Sequence, residues 1–274
     1  MRIRIHHTTQ YTYDRPIRAA VQVLRMTPRA HDGQHVTKWR VETDADGRFR
    51  QGEDAFGNIT QTLAIDGPVQ KVRLIVTGEV ETFDTGGVVR GIVERFPVEV
   101  FLRETSLTLI DPGMRDYVQT VAGAGDDTLS RLHDLLSALH RDITFCTDAT
   151  DASGTAIEAF QMRRGVCQDL AHIFIGMARW VGIPARYVSG HLVRQDGAIE
   201  QEAAHAWAEA HVAGLGWVGF DPANGMCPTD GYVRVASALD YLGAAPVRGS
   251  RYGGGAEQME VFLSVAADPD WQEQ

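Results

Sequence analysis

The sequence predicts an α+β protein: an antiparallel β-sandwich-like domain over residues 1–100, then over 101–274 a core in which one buried helix packs on an antiparallel sheet and a C-terminal strand follows. Two observations carry this. Up to about Phe83, short runs of alternating apolar and polar residues recur, each bounded by Gly, Pro, Asp or Asn, with no helical period. Between Asp111 and Val181 the apolar spacing is helical, and beyond Pro184 it returns to that of strands.

In chain order, the first strands are Arg2 to Tyr13, Ala19 to Met26, His35 to Thr43, Ile59 to Ile65 and Val69 to Val80, with Asp46-Gly47 and Gly57-Asn58 as hairpin turns. His6 and His7 are neighbours on a strand and face opposite ways, so they read as solvated or pairing histidines rather than metal ligands. From 82 to 110 the pattern weakens, and Gly86-Gly87 and Pro97 mark a surface connection that contains the domain boundary. Asp111-Pro112 starts a helix with Asp as N-cap. Leu129, Leu132, Leu135, Leu136 and Leu139 give a second helix an apolar stripe over Thr128 to His140. A short segment Ile143 to Thr147, an Asp-, Thr- and Ser-rich loop and a short helix Thr155 to Gln161 lead to the stretch RRGVCQDLAHIFIGMARWV.

There Leu170, Ile173, Phe174, Met177, Ala178 and Val181 describe a helix that starts near Cys167 and stops at Gly182 and Pro184. A cysteine in the first turn sits among unpaired N–H groups at the positive end of the helix dipole, with Arg163 and Arg164 just before it, and both effects favour thiolate. Gly165 leaves the sulfur open, and Gln168 and Asp169 suit a cleft better than a core. Three strands follow, Ala185 to Leu192, His205 to Val212 and Trp217 to Asp221, joined at Asp196-Gly197 and Gly214-Leu215-Gly216. Gly253-Gly254-Gly255 reads as a mobile loop, and Met259 to Ala266 as a last strand.

Composition narrows the function. Hydrophobic residues make up 44% and charged ones 23% of 274 residues, enough for a core in each of two domains. The formal charge of −10 argues against a general nucleic-acid binder and against anionic membranes. The N-terminus lacks a signal peptide's apolar core, and no stretch approaches the roughly 18 apolar residues of a membrane span, so the cytoplasm is expected. Three cysteines, Cys146, Cys167 and Cys227, without a CxxC pair, fit a reducing compartment and a free thiol.

Thiol chemistry needs a base to hold the thiolate and protonate the leaving group, and a third group to orient that base. His205 near the start of one strand and Asp221 at the end of its neighbour supply both. The backbone N–H of Cys167 is a natural oxyanion donor. A zinc site of Cys167, His205 and His191 or His211 has suitable ligand types but lacks the H-E-x-x-H spacing, so no metal or cofactor is expected. Asp169 reads as a helix-start residue, His172 as a structural histidine off the nucleophile's face, and Trp180, Trp207 and Trp217 as groove lining or core. The first hundred residues hold no nucleophile, acid and base set, and are expected to pack on the core or shape access to its cleft.

At GVCQDLAHIFIGMARWVGIPARYVSGHL and AHAWAEAHVAGLGWVGFDPANG, over Ile157 to Gly225, the sequence resembles the transglutaminase-like superfamily of papain-like cysteine enzymes. Within it, the chain is similar to the bacterial proteins with an N-terminal β-domain, for which Pro28-Arg29 and Phe56-Gly57-Asn58 are signposts. The resemblance implies a papain-like fold with a nucleophile helix on an antiparallel sheet. It also implies catalytic roles for Cys167 as nucleophile, His205 as base and acid, and Asp221 as orienting group. The activity it implies is acyl transfer or hydrolysis on a peptide or glutamine-type amide of a protein or peptide substrate, through a thioester. A non-catalytic peptide- or partner-binding module on the same fold is the alternative. The family's calcium dependence in animal enzymes is not expected, because Asp44-Ala45-Asp46-Gly47 lacks the ligand series of a calcium loop.

Overall fold

The computed structural model describes residues 1–122, 127–146 and 154–268. The Asp-, Thr- and Ser-rich loop of 147–153 lies outside the described residues. Strands β1 (Arg2–Thr27), β2 (Gln34–Thr43), β3 (Gly47–Glu53) and β4 (Ile59–Thr82) form most of the first sheet, and β1 and β4 are antiparallel neighbours along nearly their whole lengths. Each was expected as two strands. The Asp14-Arg15-Pro16 and Gly67-Pro68 punctuation shifts the register without ending the strands, because a proline removes one ladder donor while pairing resumes beyond it. One apolar cluster unites Tyr11, Val72 and Leu74 with Leu24, Leu63 and Ile65, from the two ends of these strands, so the bent sheet encloses its own core.

Gly57, at φ 80°, turns the β3–β4 hairpin as expected. Asp46-Gly47 turns no hairpin: β2 and β3 both pair with β4, which is long enough to take them in succession. Asp44 anchors that crossing by accepting from the Arg73 N–H at 2.8 Å and the Arg73 Nε at 2.7 Å.

The connection after β4 does more than run over the surface. It supplies β5 (Val88–Val89) to the second sheet and a 3-10 turn (Val98–Leu102) that buries Phe101. Helices α1 (Pro112–Ala122) and α2 (Thr128–Asp142) follow, capped by Asp111 and Asp127 side chains that accept N–H groups of their first turns. Next come β6 (Thr144–Phe145), α3 (Ala156–Met162) with its Thr155–Glu158 capping box, β7 (Arg164–Gly165) and α4 (Cys167–Trp180). The remaining elements are β8 (Ala185–Leu192), β9 (Glu200–Gln201), β10 (His205–Val212), β11 (Gly216–Phe220), β12 (Tyr232–Ala238), α5 (Tyr241–Ala244), β13 (Val247–Gly253) and β14 (Glu257–Ala267).

The second sheet is antiparallel in the order β12-β8-β10-β11-β5. Its β10 turns Ala206, Ala208 and Ala210 into the core cluster that includes Leu170, Ile173, Phe174 and Met177 of α4, and these small residues let the helix lie close. On alternate positions Glu209 is fully buried between two arginines. Arg186 Nε is 2.7 Å from one carboxylate oxygen and Arg234 Nε 2.8 Å from the other, while the Arg186 guanidinium lies 3.8 Å above the Trp217 ring. The last strand was expected within the core domain. Both β13 and β14 pair instead with β1, because β1 offers its second edge along its whole length.

Four rings, His7, His31, His172 and His191, are held neutral by burial, which pushes them down to about 4, 4, 3 and 3 from 6.5. Folding therefore excludes protons that the unfolded chain binds. Their contribution to stability is complete above pH 6.5 and falls as pH drops toward 4. Urea midpoints are expected to decline from neutral pH downward, with part of the slope lost in His7→Phe. A midpoint independent of pH across that window contradicts neutral burial.

Candidate active site

Cys167 opens α4 and is half-buried. The turn before it is fixed by Asp169, a fully buried residue whose Oδ2 accepts the Val166 N–H at 2.9 Å. Gly165 has no room for a side chain, since a Cβ there would stand 2.7 Å from the Cβ of Asp169. The Cys146 N–H donates to the Gly165 carbonyl at 2.9 Å and ties the approach to β6. Arg163, expected to add positive charge near the thiol, has left-handed backbone at the end of α3 and lays its guanidinium 4.1 Å over the Phe160 ring.

His205 begins β10 opposite Gly190. That glycine makes space for Trp207, as a Cβ on it would fall 2.6 Å from the indole. Trp207 in turn stacks on His205 with centroids 6.2 Å apart. The imidazole Nε2 lies 2.6 Å from Asp221 Oδ2, and the ring is also hydrogen-bonded to Cys167. With Nε2 committed to Asp221, Nδ1 is the nitrogen left for the sulfur.

Asp221 follows β11 and is fully buried. Its Oδ1 accepts the N–H groups of Ala223 and Asn224 at 3.0 and 3.2 Å, as an Asx turn does. Its Oδ2 accepts Asn224 Nδ2 at 2.7 Å and Tyr232 OH at 2.8 Å beside the histidine. From α2, His140 Nδ1 lies 3.3 Å from the Pro222 carbonyl and supports the same turn.

Electrostatics follow from these contacts. Burial works against a charged His205, but the Cys167 charge, the Asp221 hydrogen bond and the Cys167 hydrogen bond outweigh it and push the imidazole up to about 10. Burial likewise opposes the Asp221 carboxylate, and the hydrogen bond and charge of His205, with the bonds from Asn224 and Tyr232, still hold it below its usual range. Burial pushes the Cys227 thiol up. These contacts favour the charged form of the His205 ring beside the Asp221 carboxylate.

The sequence-predicted residues Cys167, His205 and Asp221 are thus brought together. The histidines of the rejected zinc reading lie elsewhere: His191 is buried edge-on to His7 at 5.7 Å, and His211 packs on Trp217 at 5.4 Å. Among the described residues no group of three or more His, Cys, Asp or Glu is arranged to hold a metal ion. His172 accepts the Tyr241 N–H at 3.1 Å, and Trp207 and Trp217 are core. Sequence reasoning missed Tyr232 and Asn224. The Asp-Pro-x-Asn-Gly run carried a turn signal that pointed to Asn224, whereas the Tyr232 contact depends on strand order.

Residues 3–81 match the bacterial transglutaminase-like N-terminal region, and residues 115–222 match the transglutaminase-like superfamily. The chain belongs to the transglutaminase-like superfamily, whose function is of the cysteine-enzyme type. It is 27% identical to an uncharacterized protein of Mycobacterium leprae over 96% of this chain and 98% of that one. A crystal structure from Cytophaga hutchinsonii, provisionally described as a cysteine protease, superposes with a TM-score of 0.80 at 19% identity, over 99% of this chain and 92% of that one, and shares the fold. A protein-glutamine gamma-glutamyltransferase of Pseudomonas aeruginosa is 33% identical over 39% of this chain and 17% of its own length.

Proposed function

We propose that the protein is a cysteine acyltransferase or amidase acting on glutamine-type or peptide amides, with Cys167 as nucleophile, His205 as acid and base, and Asp221 as the orienting group. The observation that carries this reading is the continuous line of contacts from buried Asp221 through His205 to Cys167 at the start of α4. The sulfur attacks the amide carbonyl carbon, the C–N bond breaks, and the departing amine takes its proton from the imidazolium. Water or a second amine then attacks the thioester and gives a proton to the imidazole as the sulfur leaves. An imidazolium held up to about 10 keeps the first of these protons available at neutral pH. The Cys167 N–H at the helix start suits the developing oxyanion. We also assign the protein to the cytoplasm, on its sparse, unclustered cysteines; no described helix is long and apolar enough to cross a membrane.

The test is alkylation by iodoacetamide near pH 6 with peptide mapping. Cys167 is expected to be modified at least about tenfold faster than Cys146 and Cys227, and His205→Ala to remove that advantage. Equal rates at the three thiols sink the reading. Incubation with an electrophilic glutamine mimic should likewise give a single adduct on Cys167, and its absence favours a non-catalytic peptide-binding module.

A further inference from the structure

We propose that the N-terminal sheet is a positioning element of this site: Gln34 and Asn58 fix the edge strand β12, and β12 holds Asp221 through Tyr232. The inference rests on the roles given to Cys167, His205 and Asp221 above.

Strand β12 lies at the edge of the second sheet, paired with β8 on one side. An edge strand ordinarily leaves its outer N–H and carbonyl groups to solvent or to another strand. Here two buried carboxamides stand in for that strand. Gln34 Oε1 accepts the Arg234 N–H at 2.8 Å, and its Nε2 donates to the Arg234 carbonyl at 2.9 Å. Asn58 repeats the arrangement, accepting the Ser237 N–H on Oδ1 at 2.8 Å and donating from Nδ2 to the Ser237 carbonyl at 2.8 Å.

Each amide is also bonded within its own half. Gln34 Nε2 donates to the Arg29 carbonyl at 2.9 Å, and Asn58 Nδ2 to Asp54 Oδ2 at 3.0 Å, so neither amide turns freely. The register of β12 against β8 shifts between Arg234 and Ala236. The two carboxamides therefore grip the strand on either side of the place where its own sheet holds it least.

Two residues before Arg234, Tyr232 gives its hydroxyl to Asp221 Oδ2. Its ring also packs edge-on against Trp207, the support of His205, with centroids 5.4 Å apart. A displaced β12 would loosen a donor to the carboxylate and the wall behind the imidazole together. No N-terminal side chain touches the reacting atoms on this view; the first half sets where Asp221 and His205 stand.

Alkylation of Cys167 measured against pH tests this without a substrate. Tyr232→Phe removes one hydroxyl and keeps the ring. The Asp221 carboxylate, stripped of that donor, should protonate at higher pH, so the acid limb of the labelling profile is expected to move up by on the order of one pH unit. Gln34→Ala and Asn58→Ala are expected to shift the same limb in the same direction. Val72→Ala opens a cavity in the N-terminal core with no bond to β12, and should lower the melting temperature while leaving the profile unchanged. Wild-type profiles in Gln34→Ala and Asn58→Ala overturn the proposal. Should both fail to fold, an unmoved acid limb in Tyr232→Phe overturns it. A wild-type protein without preferential Cys167 labelling would instead defeat the functional reading beneath it.

Discussion

Replacing Asp221 by Asn is expected to give a folded but less stable protein whose turnover on an amide substrate falls by about 10⁴-fold. Five donors converge on this carboxylate: three on Oδ2, from His205, Asn224 and Tyr232, and two backbone N–H groups on Oδ1. Neither orientation of an amide fits that pattern. With its NH2 at the Oδ2 position it faces three donors, and with its NH2 at the Oδ1 position it faces two. Either way donors oppose donors inside a fully buried turn, and one kcal/mol or more of stability, roughly, is lost. The imidazolium also loses its counter-charge, so its proton is held less firmly. Turnover and melting temperature measured on the same sample check both parts. Unchanged turnover would reduce Asp221 to a cap for the turn before Pro222.

Glu209→Ala is expected to cost about 3–5 kcal/mol of stability. The carboxylate is fully buried and, although burial opposes its charge, Arg234 and Arg186 pull it down to about 2. Burial already lowers the Arg186 guanidinium, and removing its buried partner leaves Glu94, at 3.0 Å and partly exposed, as the one carboxylate bonded to it among the described residues. Urea unfolding should show the loss, and adding Arg234→Met should restore part of it by withdrawing one of the stranded charges. A loss below about 1 kcal/mol would mean that water replaces the carboxylate with little penalty.

What could be read from residues alone was whatever local spacing encodes. The Cys167 helix, with its Gly182 stop, and the strands beginning at Ala185 and His205 repeat apolar residues at periods that only one element satisfies. The place of Asp221 at the end of β11 was legible because the strand period stops at Pro222. Strand β12 was not, since Val233, Arg234, Val235, Ala236 and Ser237 carry no clear alternation, and the register shift at Arg234 explains why. The roles of Gln34, Asn58 and Tyr232 were hidden for a different reason. Each depends on a partner brought near by sheet order, and nothing in the residues around a buried glutamine tells which backbone it will bond. The merging of the first strands into β1 and β4 shows the converse, where strong local punctuation is overridden by continuous pairing with a neighbour.

Because β13 and β14 return to β1, the chain leaves the first sheet after Thr82, touches it again at β9, which pairs with β14, and rejoins it before Val247. The second half is thus spliced into the first, held by a covalent crossing at each of its ends and by the pairing of β9 with β14 between them. A two-ended graft of this kind resists the swivelling that a single linker permits, since both crossings must twist together. Excision is equally constrained: a fragment cut near residue 100 would carry two strands deprived of their template, exposing β13 and β14 as adhesive edges. A fragment spanning only 101–246, which omits them, is the one whose solubility would reveal whether the second half can be lifted out of its frame.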